Sequence, residues 1–468
     1  MAKRTRRDFF STMVDGVHGA ALASLLGRDL YAAPTFDLKP KKAHFPARAK
    51  SVIHLFMNGG PSQVDLFDPK PMLNKMAGKT PTRELAFAIS NGKEAGTLMP
   101  SPFEFKPRGK SGIEISDALP HLATCVDDIA LIRSMYGEHA NHEPALFLLH
   151  SGRTIATRPS IGAWVSYGLG TENQNLPAYV VLDDPKGLPI NGISNWQSAW
   201  LPPIYQGTRF RAEGPPVLNL QPRAEMPTPL VEAERNLLRQ LDAAHRETRP
   251  YQPDLDARIS SYELAARMQL AASDALDVNK ETEATREDYG LNDPATASYG
   301  KRCLMARRLV ERGVRVVQLY IESQIFDTHG DLKAGLNYAC NKTDKPVAAL
   351  LKDLKQRGLL DSTLVVWGGE FGRLPISQAG GKDPGRDHGP NGFSMWMAGG
   401  GVKGGVVHGA TDEVGFKAED KKVSVHDFHA TLLHLLGLNY RDLAFERAGL
   451  KERLTDQFPA RVVTEILA

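Results

Sequence analysis

Short apolar runs and stretches of helical periodicity alternate along most of this chain. The runs are bounded by Gly, Pro, Asn and Asp, and each has the length of a buried strand. They lie at 51–57, 129–135, 178–182, 314–321, 363–367 and 393–397. Helical spacing of apolar residues predicts helices at 144–150, 229–272, 306–312, 346–356 and 425–436. Strands that alternate with helices predict an α/β fold with a mainly parallel central sheet.

Two long stretches interrupt this alternation. Residues 75–107 mix Gly, Pro and polar residues without periodicity, which predicts a loop. Residues 188–222 are rich in Gly, Pro, Trp and Tyr and predict an irregular excursion that covers a pocket. With the helical pattern that follows, they predict an irregular and helical insertion at about 188–300 within a single domain of residues 45–460.

The composition is that of a large globular protein. The chain has 468 residues, of which 42% are hydrophobic and 24% are charged. The net charge of +3 is spread along the sequence, which argues against a nucleic-acid partner. Cys125, Cys303 and Cys340 lack the spacing of a metal site. We therefore expect free buried thiols, with one disulfide as the most that can form.

The N-terminal residues 1–33 have the pattern of an export signal. A basic run containing Arg6 and Arg7 precedes a small-residue apolar stretch at 17–26, and Tyr-Ala-Ala-Pro at 31–34 offers a cleavage region. This order predicts export by the twin-arginine route and a periplasmic or extracellular protein. The apolar stretch is too short and too polar for a stable span, so we expect no transmembrane span in the mature chain. An amphipathic N-terminal helix is the alternative interpretation.

Asp327 and His329 stand two positions apart, shortly after the predicted strand at 314–321. In an extended backbone both side chains leave the same face. Carboxylate and imidazole are ligands of zinc and manganese, and α/β proteins place their chemistry at the carboxyl ends of parallel strands. The pair therefore predicts a divalent metal site. The alternative is a solvated loop in which Asp327 caps a turn.

Two further motifs supply candidate ligands. Glu370 follows a predicted strand behind two glycines, which allow the backbone to approach a ligand closely. Asp387 and His388 lie on a Gly-rich segment, where adjacent side chains can reach one metal or bridge two. Arg373 carries a planar guanidinium that suits phosphate or sulfate, so it is a candidate for substrate binding. The alternatives are ion pairs of Glu370 with Arg373 and of Arg386 with Asp387.

Two N-terminal segments offer residues to complete the site. Asn58 follows the first predicted strand and can supply an oxygen ligand or contact substrate, and Ser62 in the same Gly-Pro loop carries a hydroxyl. Both residues are also ordinary turn residues. His142 and Glu143 open a predicted helix and are candidates for proton transfer. Capping of that helix by Asn141 is the alternative.

These motifs resemble those of the alkaline phosphatase and sulfatase superfamily. The shared order is an early strand ending at a polar residue, an Asp-x-His motif, a strand followed by an acidic residue, and a late His-Gly. More narrowly, the chain is similar to the domain-of-unknown-function 1501 group of exported bacterial proteins, from Arg6 to about residue 437. The similarity is carried by the segments 59–62, 326–329 and 369–373. It implies an alkaline-phosphatase-like three-layer α/β/α sandwich.

The resemblance is incomplete at the expected nucleophile. Sulfatases carry Cys or Ser before a Pro-x-Arg sequence and a Leu-Thr-Gly-Arg tail, and residues 149–153 (Leu-His-Ser-Gly-Arg) resemble only that tail. His142 and Glu143 stand where the nucleophile is expected, and no cysteine is there to become formylglycine. The tail makes Arg153 a second candidate for binding the anionic group of a substrate.

Two ligand positions also differ from the superfamily pattern. Asn58 stands in place of the strand-end acid, and Glu370 followed by Phe371 stands in place of an Asp-His pair. The resemblance therefore implies a site in which one or two metal ligands are missing or replaced. A site with a single metal, or one rebuilt around His142 and Glu143, remains open.

The leading hypothesis is an exported, metal-dependent hydrolase of phosphate or sulfate esters that lacks the formylglycine nucleophile. His142 or Glu143 carries protons in this hypothesis, or His142 attacks the ester. Zinc is the expected metal, with manganese or calcium as alternatives, and its predicted ligands are Asp327, His329, Glu370, Asp387 and His388. The second hypothesis is a non-catalytic binding protein for sulfated or phosphorylated glycans on the same scaffold. The third is that the motif residues only brace Gly-rich loops.

Overall fold

A computed structural model describes residues 36–88, 95–211, 213–214, 217, 227–249, 252–378 and 383–468. The predicted export signal at 1–33 lies outside these residues. Among the helices that the structure describes, none combines the length and the apolar character needed to cross a membrane.

A nine-stranded sheet forms the centre of the described part of the chain. Its strands are β1 Ser51–Phe56, β2 Ile129–Tyr136, β3 Tyr179–Leu182, β4 Thr208–Phe210, β5 Val316–Tyr320, β6 Thr363–Gly368, β7 Phe393–Ala398, β8 Val406–His408 and β9 Val423–Ser424. Their order in space is β8-β2-β7-β6-β1-β5-β3-β4, and β9 pairs with β2. Of the pairings in this sheet, those of β7 with β2 and β6 are antiparallel and the others are parallel. The predicted α/β class with a mainly parallel sheet is therefore confirmed.

Helices and small ribbons surround this sheet. The α-helices are α1 Gln63–Leu66, α2 Pro71–Lys75, α3 Arg83–Phe87, α4 His142–Ser151, α5 Ile161–Leu169, α6 Thr228–Glu247, α7 Pro253–Leu276, α8 Glu283–Asp288, α9 Ala297–Glu311, α10 Leu332–Gln356 and α11 Val425–Leu435. Short 3-10 helices lie at Leu122–Asp128, Gly192–Trp196, Pro203–Tyr205, Val278–Lys280, Leu360–Ser362 and Thr464–Ile466. Two-stranded antiparallel ribbons pair Ala95–Leu98 with Ile376–Gln378, Phe105–Arg108 with Ile113–Ser116, Gly372–Arg373 with His388–Gly389, Ala410–Thr411 with Ala418–Asp420, and Phe445–Arg447 with Leu450–Glu452.

Two hydrophobic cores lie on the two faces of the sheet, and β1 contributes to both. Ile53 and Leu55 join the core that contains residues of α7, α9 and α10. Val52 and Phe56 join the core that contains residues of α4, α5 and α11. Successive side chains of a strand point to opposite faces, and a buried parallel sheet needs helices on both. The arrangement is the three-layer α/β/α sandwich that the resemblance implied.

The three cysteines belong to the first of these cores. Cys125, Cys303 and Cys340 are all buried and all free. The expectation of free buried thiols is therefore confirmed.

The prediction of a loop over 75–107 is wrong in detail. This segment contains α3 and the strand Ala95–Leu98, which pairs antiparallel with Ile376–Gln378. The pairing partner lies about 280 residues further along the chain, so no local periodicity reveals it.

Three histidines are buried between the sheet and the helices of the second core. His54 lies on β1, His150 on α4 and His429 on α11, and the rings of His54 and His150 are 5.9 Å apart. Burial lowers the pKa of His54 to about 4 and that of His429 to about 3. Burial also brings the pKa of His150 well below its usual value, so all three imidazoles are neutral at pH 7.

We expect these histidines to make the protein less stable as the pH falls from about 6.5 to about 4. In this interval the unfolded chain binds a proton at each imidazole and the native chain does not. His54 alone accounts for roughly 3 kcal/mol, at about 1.4 kcal/mol for each unit of pKa. Urea unfolding of wild type and His54→Leu at pH 7 and pH 4.5 measures this difference, and the variant should lose less stability than wild type. Equal losses would contradict the burial argument.

Candidate metal centre

The loops that follow β1, β5 and β6 meet at one edge of the sheet because these three strands are neighbours. The backbone N–H of Phe326 donates to the carbonyl of Asn58 at 3.0 Å, which joins the loops after β1 and β5. Gly59 has a φ of +104°, and a Cβ at this position would lie 2.6 Å from the backbone nitrogen of Asp327. Only glycine satisfies both conditions. The glycine therefore allows the backbone of the first loop to approach the Asp327 motif.

Asp327, His329 and His388 bring three potential ligand atoms together. His329 Nε2 lies 2.9 Å from Asp327 Oδ1, and His388 Nε2 lies 3.2 Å from the same oxygen. The two Nε2 atoms are 3.0 Å apart. The side chains of Asp327 and His329 remain 21% and 29% exposed, so the cluster is accessible from solvent.

The opposite nitrogens of both rings are held by acceptors. The Nδ1–H of His388 donates to the carbonyl oxygen of Ala140 at 2.6 Å. The Nδ1–H of His329 donates to Gln378 Oε1 at 2.8 Å. A carbonyl oxygen can only accept, so the proton of a neutral ring lies on Nδ1 and the Nε2 lone pair faces the cluster. Such partners orient histidine ligands in metal sites.

The charge state of the cluster favours a bound cation. Burial alone raises the pKa of Asp327, but the neighbouring His142 and the charge of Arg373 outweigh it and hold this pKa far below its usual range. Burial lowers the pKa of His388, which keeps its imidazole neutral. Two nitrogen lone pairs and a carboxylate oxygen within about 3 Å repel one another unless a proton or a metal lies between them. The donor set of two imidazoles and one carboxylate fits zinc.

His142 and Glu370 form a second unit beside this cluster. The Nδ1–H of His142 donates to Glu370 Oε1 at 2.6 Å, and the backbone N–H of Gly59 donates to the same oxygen at 3.1 Å. His142 Nε2 lies 3.4 Å from Asp327 Oδ2 and makes no hydrogen bond. Burial lowers the pKa of His142, but the carboxylates of Glu370 and Asp327 outweigh burial and raise this pKa to about 9. In this pair, the protonated Nε2 of His142 therefore faces the cluster.

Two sets of three side chains have ligand atoms that lie within 4.8 Å of one another in the described residues. One set is His142, Asp327 and His388, and the other is His329, Asp387 and His388. Glu370 belongs to neither. Asp387 lies 3.9 Å from His329 Nδ1, and its Oδ1 accepts from the backbone N–H of His388 at 2.8 Å. Asp387 therefore lies on the Nδ1 side of His329, and Glu370 lies on the Nδ1 side of His142.

Arg373 is buried beneath the cluster. Its guanidinium donates to the carbonyls of Gly59 and Gly60 and to that of Arg386, and it contacts Asp327 Oδ1 at 2.5 Å. Its side chain has no exposed surface. In this arrangement Arg373 supports Asp327 and the loops around it and is not placed to bind substrate.

The other predicted site residues are not brought to the cluster's ligand atoms. The hydroxyl of Ser62 donates to Asp65 at 2.5 Å in the interior, and the amide of Asn58 donates to the carbonyl of Ile321. Glu143 is exposed in the first turn of α4, where a carboxylate favours the helix dipole. Arg153 lies beyond the other end of α4 and donates to Asp456 at 2.9 Å.

Gln378 and the Ala140 carbonyl are supporting groups that sequence reasoning missed. A glutamine at the end of a short ribbon and a backbone carbonyl have no sequence signature. The buried ion pair of Arg386 with Asp65, at 2.7 Å, was also missed by sequence reasoning, because it joins segments about 320 residues apart.

The fold and the cluster define a three-layer α/β protein with a histidine–carboxylate centre at the carboxyl edge of its sheet. The chain matches the family model described as "Protein of unknown function (DUF1501)" over residues 49–467, and it belongs to this family. The resemblance to this group is therefore confirmed.

Several solved structures are similar to this one at low identity. A phosphonate monoester hydrolase from Silicibacter pomeroyi is 10% identical, with 83% of this chain and 73% of that chain covered and a TM-score of 0.33. The lipoteichoic acid synthase LtaP from Listeria monocytogenes is 9% identical, with coverage of 88% and 77% and a TM-score of 0.34. The alkaline phosphatase of the Antarctic bacterium TAB5 is 12% identical, with coverage of 83% and 98% and a TM-score of 0.35. No curated protein matches the sequence. At these identities the solved structures do not assign an activity to this chain.

Proposed function

We propose that this protein is an exported hydrolase that uses a divalent metal to cleave phosphate or sulfate esters. The observation that carries the proposal is the convergence of Asp327 Oδ1 with the Nε2 atoms of His329 and His388 within 2.9–3.2 Å. The basic N-terminal run with Arg6 and Arg7 supports the export part of the proposal.

Asp327, His329 and His388 are the residues that would hold the metal. Zinc is the expected ion because two imidazoles and a carboxylate are a common zinc ligand set that leaves a position open. When bound, such a metal polarises an ester oxygen and lowers the pKa of a coordinated water. Gln378 and the Ala140 carbonyl would keep the two imidazoles in the orientation that binding needs, and Asp387 accepts from the backbone N–H of His388.

His142 is the candidate for proton transfer. Glu370 holds its Nδ1–H, which fixes the ring so that Nε2 points towards Asp327. A protonated Nε2 at this place can donate to the leaving oxygen of an ester, and a neutral Nε2 can accept a proton from an attacking water. Glu370 has a positioning role in this arrangement because its side chain is fully buried and cannot reach substrate.

One observation favours a second candidate function. The only hydroxyl among the predicted catalytic residues, that of Ser62, is buried and bonded to Asp65, and Arg373 is occupied by carbonyls. A protein without a nucleophile or an anion clamp could bind a sulfated or phosphorylated glycan without cleaving it. This alternative predicts saturable binding without turnover.

Metal content and turnover of the whole protein test the proposal. Protein purified without chelator should hold about one equivalent of zinc, manganese or calcium per chain. It should cleave 4-nitrophenyl phosphate or 4-nitrophenyl sulfate, lose this activity with a chelator and regain it with the metal. Bound metal without turnover of any phosphate or sulfate ester would favour the binding protein. Absence of metal after soaking would reject both the site and the hydrolase.

A further inference from the structure

A cavity lies beyond the carboxyl end of α4 and shares no residue with the histidine–carboxylate centre. Its volume is about 560 Å³, which falls within the range of small-molecule sites. The residues of its wall that carry the argument are Arg153, Arg158, Trp200, Arg447, Glu452 and Asp456. This mixture of guanidinium, carboxylate and indole groups suits a ligand that has charged, hydrogen-bonding and apolar parts.

Arginine–carboxylate pairs form one side of the cavity. Arg158 is nine-tenths buried, and its Nη1–H donates to Glu452 Oε2 at 2.7 Å. The Nε–H of Arg158 is buried without an acceptor. Arg153 donates to Asp456 Oδ2 at 2.9 Å. Each pair offers donors and acceptors together, and the buried Nε–H of Arg158 calls for an oxygen atom from a ligand or a water.

Trp200 supplies the apolar part of the wall. The guanidinium carbon of Arg158 lies 5.5 Å from the centre of its indole ring, and the Trp200 ring packs on Phe445 at 5.6 Å. Trp200 is partly exposed, whereas the other four tryptophans of the chain are buried. An indole offers apolar surface and one N–H donor, which suits a ligand that is apolar and hydroxylated at once.

The net charge of the cavity wall and the backbone conformation of two of its residues also indicate a ligand site. Three arginines face two carboxylates, and Arg447 makes no ion pair within the described residues, so one positive charge is left for the ligand. Ala199 and Asp456, which also line the cavity, have φ values of 47° and 50°. Side-chain-bearing residues rarely adopt this conformation, and such residues are concentrated at ligand sites.

We propose that this cavity binds a sugar residue that carries an anionic group. The hydroxyls of the sugar would exchange hydrogen bonds with the arginine–carboxylate pairs, its C–H groups would contact Trp200, and Arg447 would meet its sulfate, phosphate or carboxylate. This inference does not depend on the proposed hydrolase activity because the two sites have no residue in common.

Titration with defined saccharides tests the inference. The probes are a chondroitin 4-sulfate disaccharide, neutral N-acetyllactosamine and inorganic sulfate. Binding of the acidic disaccharide should change the tryptophan fluorescence in a saturable way, because Trp200 is partly exposed and lines the cavity. Calorimetry should show binding that is about tenfold weaker for Arg447→Ala and at least about tenfold weaker for Trp200→Ala. Trp200→Phe, which keeps an aromatic ring, should retain part of the affinity and replaces Trp200→Ala if that variant does not fold.

Lys451→Ala is the matched control, because Lys451 lies on the same hairpin, is 66% exposed and does not line the cavity. It should bind the disaccharide like wild type. Equal affinity for N-acetyllactosamine would overturn the anionic requirement, and equal affinity for inorganic sulfate would overturn the sugar requirement. Absence of saturable binding in both measurements would reject the site, whether or not the protein holds metal and cleaves esters.

Discussion

Replacing both Asp327 and His329 with alanine should abolish the proposed metal binding and the proposed ester hydrolysis. The pair supplies two of the three atoms that converge on one point, and a single imidazole from His388 cannot hold a divalent ion tightly. A metal supplies several kcal/mol of transition-state stabilisation, so the rate should fall by at least about 10³-fold. Elemental analysis and turnover of the double variant beside wild type measure both effects.

His329→Ala alone controls for damage to the fold. His329 is 29% exposed, and its removal leaves the ion pair of Asp327 with Arg373 intact. We expect this single variant to unfold in urea like metal-free wild type and to lose most of its metal. A double variant that keeps full activity would contradict the assignment of the catalytic centre to these residues.

Asp65→Ala should lower the free energy of unfolding by about 3–5 kcal/mol, because it leaves the charge of Arg386 buried and without its partner. Neither side chain of this pair has exposed surface, and the contacts measure 2.7 and 3.1 Å. Arg386 directly precedes Asp387 and His388, so the variant should also bind metal more weakly. Urea unfolding and metal titration measure the two consequences.

Glu84→Ala is the matched control for this variant. It removes a carboxylate from an ion pair with Lys417 whose side chains are 65% and 45% exposed. An exposed pair of this kind contributes less than about 1 kcal/mol. If Asp65→Ala lowered the free energy of unfolding no more than Glu84→Ala does, the buried pair would not be what holds the loop of Arg386 in place.

Much of the sheet could be predicted because its strands are continuous apolar runs. The six predicted strands all exist, and the run at 363–367 corresponds to β6 at Thr363–Gly368. Strands that are buried on both faces contain few polar residues, so each appears in the sequence as a continuous apolar run. The antiparallel direction of β7 and the pairing of Ala95–Leu98 with Ile376–Gln378 depend on distant partners and leave no such signal.

The sequence predicted several of the residues that the structure brings together, but not the contacts among them. Asp327, His329 and His388 were identified because acidic and imidazole side chains next to glycine follow or precede strands. Glu370 and Arg373 were predicted as a metal ligand and a substrate-binding residue, whereas in the structure Glu370 contacts His142 and Arg373 contacts backbone carbonyls and Asp327. Their partners, His142 and the carbonyls of the first loop, are more than 200 residues away in sequence. The sequence alone therefore does not distinguish a residue that binds metal or substrate from a residue that positions it.

Helix α4 sets a minimum size for any molecule that uses both the histidine–carboxylate centre and the cavity beyond the end of the helix. It begins at His142, beside the histidine–carboxylate centre, and Arg153, which lines the cavity, lies two residues past its end. Ten residues of α-helix are about 15 Å long. A single sugar ester cannot extend over that distance. A saccharide that touched both ends would have to be an oligosaccharide, so a preference for long chains over monosaccharide esters would follow from the length of one helix.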